Sequence, residues 1–410
     1  MNDVIIIGGG IAGLSTAYHL AHYGCRSTVL EQHSDVAQEA SGNMAGIVMP
    51  LILPESDPLS AYYRQSYEYA ISHYHTVSEN FSFSIGDPHC GALQLSTSFS
   101  RRKSTLPSWV SNSLAYHVNP FEASEIAGIT IDHAGLFFPG SMYLQPQNLC
   151  KLYLCLSAPY LTLLTHSKAL SIKRMDGLWH VYDRSGSCLA KAPALVIANG
   201  TEARQFPLTS WLPFRIIRGQ LAYLEETPSS RALRVPLIFD DYLIPAIHGV
   251  HVAGASFNAD HQYDLNLDIE EHHFMIESIF GATQLRFDRD RSAPAKGRVN
   301  FRTTLPDRRP CAGPIPDFAF YQHAYHDLRH GKNFSLYQPA QTEPGLYINV
   351  GLGSRGLTHA PLLGSLIAAE ITNSPLPVST DILSLLHPAR FIIRDLQKSL
   401  SIKNRKQTPS

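Results

Sequence analysis

Three glycines near the N-terminus, Gly8, Gly10 and Gly13, form the pattern G-x-G-x-x-G. They follow the apolar run Val4–Ile7, which is typical of a buried parallel strand, and residues 14–22 after them have helical spacing. In this context the glycines permit a tight turn and a close backbone approach to a pyrophosphate. Glu31 ends the next predicted strand, where a carboxylate can accept hydrogen bonds from ribose hydroxyls. The pattern predicts a dinucleotide site, although a purely structural glycine turn can share it.

The same pattern recurs at residues 351–356, between a predicted strand and a helix predicted at 361–371. No second strand ending in an acid follows, because residues 374–377 interrupt the chain with two prolines. The turn is therefore either structural or directs the positive end of the next helix towards an electron-rich cofactor ring. Reduced flavin carries negative charge of this kind along one edge of its ring.

Composition excludes several function classes. The 410 residues include 33 basic and 34 acidic ones, so no overall charge favours nucleic acid, a membrane surface or an acidic substrate. Six scattered cysteines form no C-x-x-C pair, which argues against a zinc site or a disulfide framework and favours a reducing compartment. No apolar run reaches the roughly 20 residues that a membrane-spanning helix needs, and the N-terminus lacks the charge of a signal peptide. We expect a cytoplasmic protein without membrane association or a bound metal.

The remaining patterns place the glycine turns in a discontinuous domain. Apolar segments at 27–30, 194–198 and 345–350 predict strands parallel to the first one, whereas alternating segments between them predict antiparallel strands. The expected fold is α/β (α+β overall), with a Rossmann-type domain interleaved with an antiparallel-sheet substrate domain. The predicted boundaries are 1–84, 146–216 and 300–398 for the nucleotide-binding domain, 85–145 and 217–299 for the substrate domain, and 399–410 for a disordered basic tail.

Residues along most of the chain resemble those of known flavoenzymes. Together with Ala17, Leu20, Gly24 and Val29, the first glycine turn and Glu31 are similar to the FAD fingerprint of the D-amino-acid-oxidase-like superfamily, which includes glycine and sarcosine oxidases. A second set resembles more specifically the oxidoreductase domain of MnmC, a bifunctional tRNA-modifying enzyme. This set comprises Ala40-Ser41-Gly42-Asn43, Gly46, Pro50, Arg302, Asp307, Pro310, Gly313, Pro316, Asp317, residues 351–357, Ala360, Pro361, residues 387–390 and Arg394.

The resemblance implies an activity and a partner. Enzymes of this kind use FAD, here expected to be non-covalent, to convert 5-carboxymethylaminomethyl-(2-thio)uridine at the tRNA wobble position into 5-aminomethyl-(2-thio)uridine and glyoxylate, acting on a CH–NH donor. A separate methyltransferase domain then methylates the amine. Because this sequence begins at the FAD strand, we expect demodification alone, with a possible separate methyltransferase. The alternatives are a FAD oxidase of a free small amino acid or secondary amine, such as glycine or sarcosine, and a non-catalytic flavin-containing tRNA-binding subunit.

The resemblance also assigns residue roles. The substrate arm is an N-substituted glycine, and Arg302 occupies the position at which amino-acid oxidases clamp the substrate carboxylate, although a solvated surface arginine is the alternative. Arg355 would stabilise reduced flavin or reach the substrate, and Tyr242 would line the pocket or belong to the core. The cofactor is expected to contact Gly8, Gly10, Ile11, Ala12, Gly13, Glu31, Gln32, Ser41, Gly42, Asn43, Gly46, Ala169, Gly200, Gly353, Ser354, Gly356 and Leu357.

Two features could serve a tRNA partner. Basic residues are concentrated at 286–298 and after residue 389, where they could contact phosphates or be only solvated. The segment 318–342, rich in tyrosine and histidine, could form a wall on which bases stack or a passive surface loop.

Overall fold

The structure is a computed structural model that describes residues 3–54, 57–79, 84–97, 106–259, 263–288, 295–330 and 334–398. Within this part of the chain, the helices are α1 (Ile11–His22), α2 (Pro58–Ser78), α3 (Pro120–Ala127), α4 (Pro146–Ser157), α5 (Ile269–Thr283), α6 (Phe318–Ala324), α7 (Gly356–Thr372), α8 (Thr380–Leu386) and α9 (Ala389–Gln397). The strands are β1 (Val4–Ile7), β2 (Ser27–Leu30), β3 (Gly46–Val48), β4 (Gly86–Asp87), β5 (Ala92–Leu95), β6 (Tyr116–Val118), β7 (Gly135–Phe138), β8 (Met142–Leu144), β9 (Leu161–Leu164), β10 (Ser171–Met175), β11 (Leu178–Tyr182), β12 (Cys188–Ala192), β13 (Ala194–Ile197), β14 (Arg215–Glu225), β15 (Leu237–Ile238), β16 (Tyr242–Leu243), β17 (Val250–Gly254), β18 (Asn258–Ala259), β19 (Gly297–Thr304), β20 (Cys311–Pro316) and β21 (Thr342–Val350).

The sheet around β1 carries the first glycine turn. Its six strands lie in the order β20-β21-β13-β1-β2-β9, and all neighbours are parallel except β20 and β21. Because successive side chains point to opposite faces, Val4 and Ile6 pack with residues of α1, α2, α4 and α7. On the other face, Ile5 and Ile7 pack with Trp179 and other apolar residues. Burial on both faces explains the uninterrupted apolar run of β1 and confirms the predicted parallel strand.

Both helices that follow glycine turns begin earlier than the sequence indicates. α1 begins at Ile11 rather than at residue 14, and α7 begins at Gly356, so that Pro361 lies inside it. A proline cannot donate the helical hydrogen bond to the carbonyl four residues before it, here that of Leu357. The Tyr74 hydroxyl of α2 donates to that carbonyl instead, at 2.5 Å. This substitute donor lets the helix continue through the proline.

The second large sheet has nine strands, in the order β18-β14-β17-β16-β15-β5-β7-β6 with β19 also paired to β14. Its neighbours are antiparallel except for β15 and β5. The predicted antiparallel sheet is therefore confirmed, with one parallel pair. β14 and β19 pair from Arg215 opposite Thr304 to Ala222 opposite Gly297. The boundaries predicted at 216 and 300 fall inside these strands. Local composition does not show where a strand that continues across such a boundary begins and ends.

Smaller elements complete the fold. The meander β10-β11-β12 has its first turn at Asp176 and Gly177, whose φ angles of 50° and 80° are left-handed, as the Asp-Gly pair predicts. β3, β8 and β4 form a short antiparallel sheet. In the described part of the chain, no helix combines the length and apolarity needed to cross a membrane. The predicted disordered tail at 399–410 lies outside the described residues.

Candidate active site

A cavity of about 880 Å³ lies at the carboxyl ends of four parallel strands. Turns that follow neighbouring parallel strands meet at one edge of the sheet. The turns after β1, β2, β13 and β21 therefore line this cavity together, with residues 8–12, 30–32, 198–202 and 350–357. Tyr242 of β16 and Arg302 of β19 line it from the antiparallel sheet. The cavity is thus shared by the two sheets.

Glu31 is fixed in the wall of this cavity by the backbone. Its Oε2 accepts a hydrogen bond from the Gly9 amide at 2.9 Å, and its Oε1 accepts one from the His33 amide at 2.8 Å. A Cβ atom at position 9 would lie 2.7 Å from that Oε2, so a side chain there would displace the carboxylate from this hydrogen bond. The carboxylate is only 6% exposed and keeps lone pairs for further donors. Its geometry suits the predicted contact with ribose hydroxyls.

Ser41 connects a second loop to the start of α1. The Ile11 amide donates to Ser41 Oγ at 3.0 Å, across thirty positions of sequence. The N-cap residue Gly10 has no side chain to do this, so Ser41 satisfies the first of the unpaired amides at the helix start. The positive end of α1 remains at the cavity, where it favours an anion such as a pyrophosphate.

Gly13 and Gly42 do not line the cavity, whereas every other predicted site residue does. A Cβ atom at Gly13 would overlap the Gly8 carbonyl oxygen, so Gly13 allows α1 to pack against the preceding turn. A Cβ atom at Gly42 would overlap the guanidinium of Arg298, which donates to the Glu39 carbonyl at 3.1 Å. Both glycines therefore allow close packing beside the cavity. The motif alone could not separate these roles from ligand contact.

Two buried amide oxygens in the cavity wall, Asn199 Oδ1 and Asn349 Oδ1, accept no hydrogen bond within the described structure. The other end of the Asn349 side chain is held, since its Nδ2 donates to Thr16 Oγ1 at 3.2 Å. A buried acceptor without a donor costs about 1–3 kcal/mol. Both oxygens therefore mark positions at which a bound ligand can donate a hydrogen bond. The sequence predictions missed both residues, although Asn199 follows the parallel strand β13 and Asn349 lies near the end of β21.

The second glycine turn brings Arg355 and the start of α7 to the cavity. Arg355 Nη1 donates to the Met49 carbonyl at 3.3 Å. Burial lowers the pKa of Arg355, and the nearby Tyr63 opposes that shift. A helix N-terminus preceded by an arginine stabilises negative charge, as the predicted contact with the electron-rich edge of reduced flavin requires.

The guanidinium of Arg302 packs directly over Gly219 of the neighbouring strand β14. A Cβ atom at Gly219 would be 2.5 Å from the guanidinium carbon, so the glycine makes room for it. Arg302 Nη1 donates to the Ser256 carbonyl at 3.2 Å. Burial lowers the pKa of Arg302 while Tyr242 opposes the shift, and burial raises the pKa of Tyr242 to about 12 against the opposing effect of Arg302. Tyr242 is consequently a neutral hydroxyl at physiological pH.

Arg302 and Arg355 have no carboxylate partner within the described part of the chain. Among the described residues, no acidic side chain lies within 4 Å of the Arg302 or Arg355 guanidinium. A partly buried cation without a counter-ion is costly, and a ligand carboxylate that enters the cavity would compensate it. The arrangement therefore suits an anionic substrate, and the role of Arg302 as its clamp stays a prediction.

Histidines take no part in the wall of this cavity within the described residues. His359 of α7 is 2% exposed, and its Nδ1 hydrogen-bonds with the Tyr62 hydroxyl and with Ser66 Oγ, both at 3.0 Å. Burial lowers the pKa of His359 to about 3, and Arg355 adds to the shift. In the described part of the chain, no group of three or more His, Cys, Asp or Glu residues is arranged to hold a metal ion.

Aromatic side chains reach the cavity from an unexpected segment. Phe257 and Tyr263 line it, together with Leu265. The sequence had instead suggested a stacking wall at 318–342, and no described residue of that segment lines the cavity. Tyr321 and Tyr325 of that segment pack against α9. Phe257, Tyr263 and Leu265 follow β17, in a stretch of sequence that carries no periodic pattern from which their place could be predicted.

Residues 3–370 match the family model described as FAD dependent oxidoreductase, also named DAO. This chain belongs to that family. It is accordingly an FAD-dependent oxidoreductase, and the cavity residues fit the cofactor. The turn after β1 and the start of α1 suit the pyrophosphate, Glu31 suits the ribose, and the start of α7 suits the flavin ring. The two asparagine oxygens that accept no hydrogen bond from the described residues suit the donors of the cofactor.

Relatives of this oxidoreductase include enzymes of tRNA modification. The chain is 34% identical over 399 residues to the tRNA 5-methylaminomethyl-2-thiouridine biosynthesis bifunctional protein MnmC of Stutzerimonas stutzeri (strain A1501), with 96% of this chain and 59% of the relative covered. It is 33% identical over 404 residues to MnmC of Pseudomonas aeruginosa (strain UCBPP-PA14), with 96% and 60% covered. The chain thus spans about 60% of the length of these relatives.

Solved structures of amine and amino-acid oxidoreductases share the fold. Glycine oxidase from Geobacillus kaustophilus has a TM-score of 0.73 at 18% identity, with 95% of this chain and 98% of the other covered. Iminodiacetate oxidase from Chelativorans sp. BNC1 has a TM-score of 0.71 at 21% identity, with 94% and 98% covered. The expected mixed α/β fold of the glycine oxidase type is confirmed.

Proposed function

We propose that this oxidoreductase removes the carboxymethyl group from 5-carboxymethylaminomethyl-(2-thio)uridine at the tRNA wobble position, giving 5-aminomethyl-(2-thio)uridine and glyoxylate. The observation that carries this proposal is the Arg302 guanidinium, a cavity cation without a carboxylate partner among the described residues. The modified arm supplies the missing carboxylate. The relatives that align with 96% of the chain are named for biosynthesis of a modified wobble uridine, which supports tRNA as the carrier of that arm.

The reaction breaks the C–H bond next to the carboxylate. Hydride leaves that carbon as the nitrogen lone pair forms a C=N bond, and water then adds to the imine carbon, which releases glyoxylate and leaves a primary amine on the base. Bound FAD supplies the acceptor for the hydride. Arg302 holds the carboxylate and so fixes the position of the adjacent carbon.

The cavity also favours the unprotonated form of the substrate nitrogen. Hydride loss requires a neutral amine with a free lone pair. Arg302 and Arg355 both line the cavity, and neighbouring positive charges lower the pKa of an amine held between them. Tyr242, whose pKa is raised to about 12 by burial, stays protonated and can donate a hydrogen bond to the carboxylate. No histidine base is needed for this route.

The cellular setting follows from the substrate. A tRNA substrate places the reaction in the cytoplasm, and the product amine is a substrate for methylation. We include in the proposal that a methyltransferase activity, on this or another protein, acts after the oxidation. The basic residues near the chain end contribute to tRNA binding. Arg390 is excluded from this role, because it lies 2.8 Å from Asp307 Oδ2 with its side chain only 9% exposed.

The test is anaerobic reduction of the flavin in the purified holoprotein. The protein is mixed separately with tRNA that carries the carboxymethylaminomethyl group, with the same tRNA lacking it, with glycine and with sarcosine. The proposal predicts loss of the oxidised-flavin absorbance with the modified tRNA and not with the unmodified control. Reduction by glycine or sarcosine without reduction by modified tRNA would identify a free amino-acid oxidase and overturn the proposal.

A further inference from the structure

Three apolar side chains at the cavity are unusually exposed. Phe257, Tyr263 and Leu265 line it and are 55%, 41% and 63% exposed. Single exposed apolar residues are ordinary on protein surfaces. Here, however, all three come from one short segment and border the cavity that contains the substrate clamp. A free small amino acid held by Arg302 would need no apolar surface of this extent.

Phe257 lies close to the clamp. The guanidinium carbon of Arg302 is 5.6 Å from the centroid of the Phe257 ring. The modified arm places four bonds between C5 of uracil and the carboxyl carbon, a reach of about 5 Å if three backbone bonds span about 3.8 Å. When Arg302 holds the carboxylate, the carboxyl carbon lies about 4 Å from the guanidinium carbon, so C5 of uracil can lie up to about 9 Å from it, a range that includes a ring stacked on Phe257. The exposed ring surface can accept a flat base by stacking.

Tyr263 is held in place by one aromatic contact and one cation–π contact. Its ring centroid is 5.0 Å from that of Phe301, at an interplanar angle of 60°, and Arg204 lies 5.6 Å from its centroid. Phe301 and Arg204 also line the cavity. A ring fixed on one side and partly exposed on another is a preorganised surface, because little side-chain entropy remains to be lost when a ligand binds.

We propose that Phe257 and Tyr263 form the base-binding mouth of the cavity, with Phe257 stacked on the wobble uracil and Tyr263 on a neighbouring base of the anticodon loop. This inference rests on the proposed function and adds the part of the tRNA that the cavity recognises. Single-stranded RNA bases are commonly bound by stacking on aromatic side chains, and the anticodon loop presents such bases. Arg302 binds the carboxylate of the arm, and the aromatic mouth binds the base that carries the arm.

The test compares binding of modified tRNA with binding of a small carboxylate. The dissociation constants of Phe257→Leu and Tyr263→Leu are measured for modified tRNA by fluorescence anisotropy of the labelled tRNA on pre-reduced enzyme, which cannot oxidise it, and for N-acetylglycine by the shift in the absorbance of oxidised flavin. Removal of a stacking ring is expected to weaken tRNA binding roughly 5- to 100-fold, and to leave N-acetylglycine binding and FAD content unchanged. Phe257→Trp is expected to restore tRNA binding. Phe274→Leu is the control, since Phe274 is 68% exposed on α5 and does not line this cavity.

The outcomes separate this inference from the proposed function. If wild-type flavin is reduced by modified tRNA but both leucine variants bind that tRNA normally, only the aromatic mouth is wrong. If both variants lose FAD or N-acetylglycine binding together with tRNA binding, the rings are structural and the inference is also overturned. If wild-type flavin is not reduced by modified tRNA, both proposals fail.

Discussion

Replacement of Arg302 by alanine should disable the enzyme without unfolding it. The guanidinium lines the cavity and keeps one hydrogen bond to the protein, from Nη1 to the Ser256 carbonyl. Because no carboxylate of the described residues is within 4 Å of it, its removal leaves no buried acidic group uncompensated. The loss should therefore fall on substrate binding and positioning rather than on the free energy of unfolding.

The magnitude follows from the hydrogen bonds that the clamp can make. A guanidinium can donate two parallel hydrogen bonds to a carboxylate, and each charge-assisted bond contributes about 1.5–3 kcal/mol. Loss of both amounts to about 3–6 kcal/mol, which is roughly a 100- to 10,000-fold fall in kcat/KM. Arg302→Lys keeps the charge but not the planar fork, so we expect an intermediate loss.

The assay is the rate of anaerobic flavin reduction as a function of the modified tRNA concentration. The matched control is Arg215→Ala, because Arg215 is an exposed arginine on β14, paired with β19 and outside the cavity wall. FAD content and the urea midpoint are measured for both variants. A rate for Arg302→Ala within about threefold of the wild type would refute the clamp, since at ~1.4 kcal/mol per tenfold it corresponds to less than one charge-assisted bond.

Three further predictions concern the cofactor and the scaffold. Glu31→Ala should weaken FAD binding roughly 10- to 100-fold, measured by equilibrium titration of the apoprotein, because the contact with the Gly9 amide and the predicted contact with ribose are both lost. Tyr74→Phe should lower the free energy of unfolding by about 1–3 kcal/mol in urea, because the Leu357 carbonyl beside Pro361 loses its donor. The free energy of unfolding should fall as the pH drops from about 6.5 towards 3, and His359 should contribute up to about 1.4 kcal/mol per pH unit to this fall. The reason is that the pKa of His359 is about 3 in the folded protein and 6.5 in the unfolded chain, so that only the unfolded chain binds the proton in this range. Urea unfolding from pH 7 to pH 4 measures this slope, and His359→Asn should make it shallower.

Each of these predictions has a matched control and a contradicting result. For Glu31→Ala the control is Glu68→Ala on the exposed side of α2, and unchanged FAD affinity would remove Glu31 from the cofactor site. For Tyr74→Phe the control is Tyr160→Phe at a 39% exposed position, and equal effects of the two substitutions would contradict the role of the hydroxyl. A pH slope unaltered by His359→Asn would show that other groups cause acid unfolding.

Much of the cofactor end of the site could be predicted from the sequence because the turns that form it lie close together along the chain. Gly8 and Glu31 lie after consecutive parallel strands, so a short βαβ pattern fixes their relationship. Arg302 and Tyr242 were predicted through family resemblance, because strand pairing brings them together from distant segments. Neither periodicity nor composition encodes that register.

Other features depend on contacts that a sequence motif does not contain. Gly42 carries the same motif signal as its neighbours, yet it packs against Arg298 rather than lining the cavity. Phe257 was missed because its role depends on the position of Arg302, 45 residues later in the sequence and 5.6 Å away from its ring in space. The α7 start was placed too late because proline normally marks a helix start, whereas here the Tyr74 hydroxyl of another helix supplies the donor that Pro361 lacks.

The most direct test of the central claim is product analysis after a single anaerobic turnover with modified tRNA. The account predicts that each flavin reduced yields one glyoxylate and one wobble nucleoside that bears a primary aminomethyl group. Mass spectrometry of the digested tRNA measures the nucleoside, and a carbonyl reagent captures the glyoxylate. Flavin reduction that yields glycine and a 5-formyl nucleoside instead of glyoxylate, or that leaves the wobble nucleoside unchanged, would contradict oxidation at the carbon next to the carboxylate.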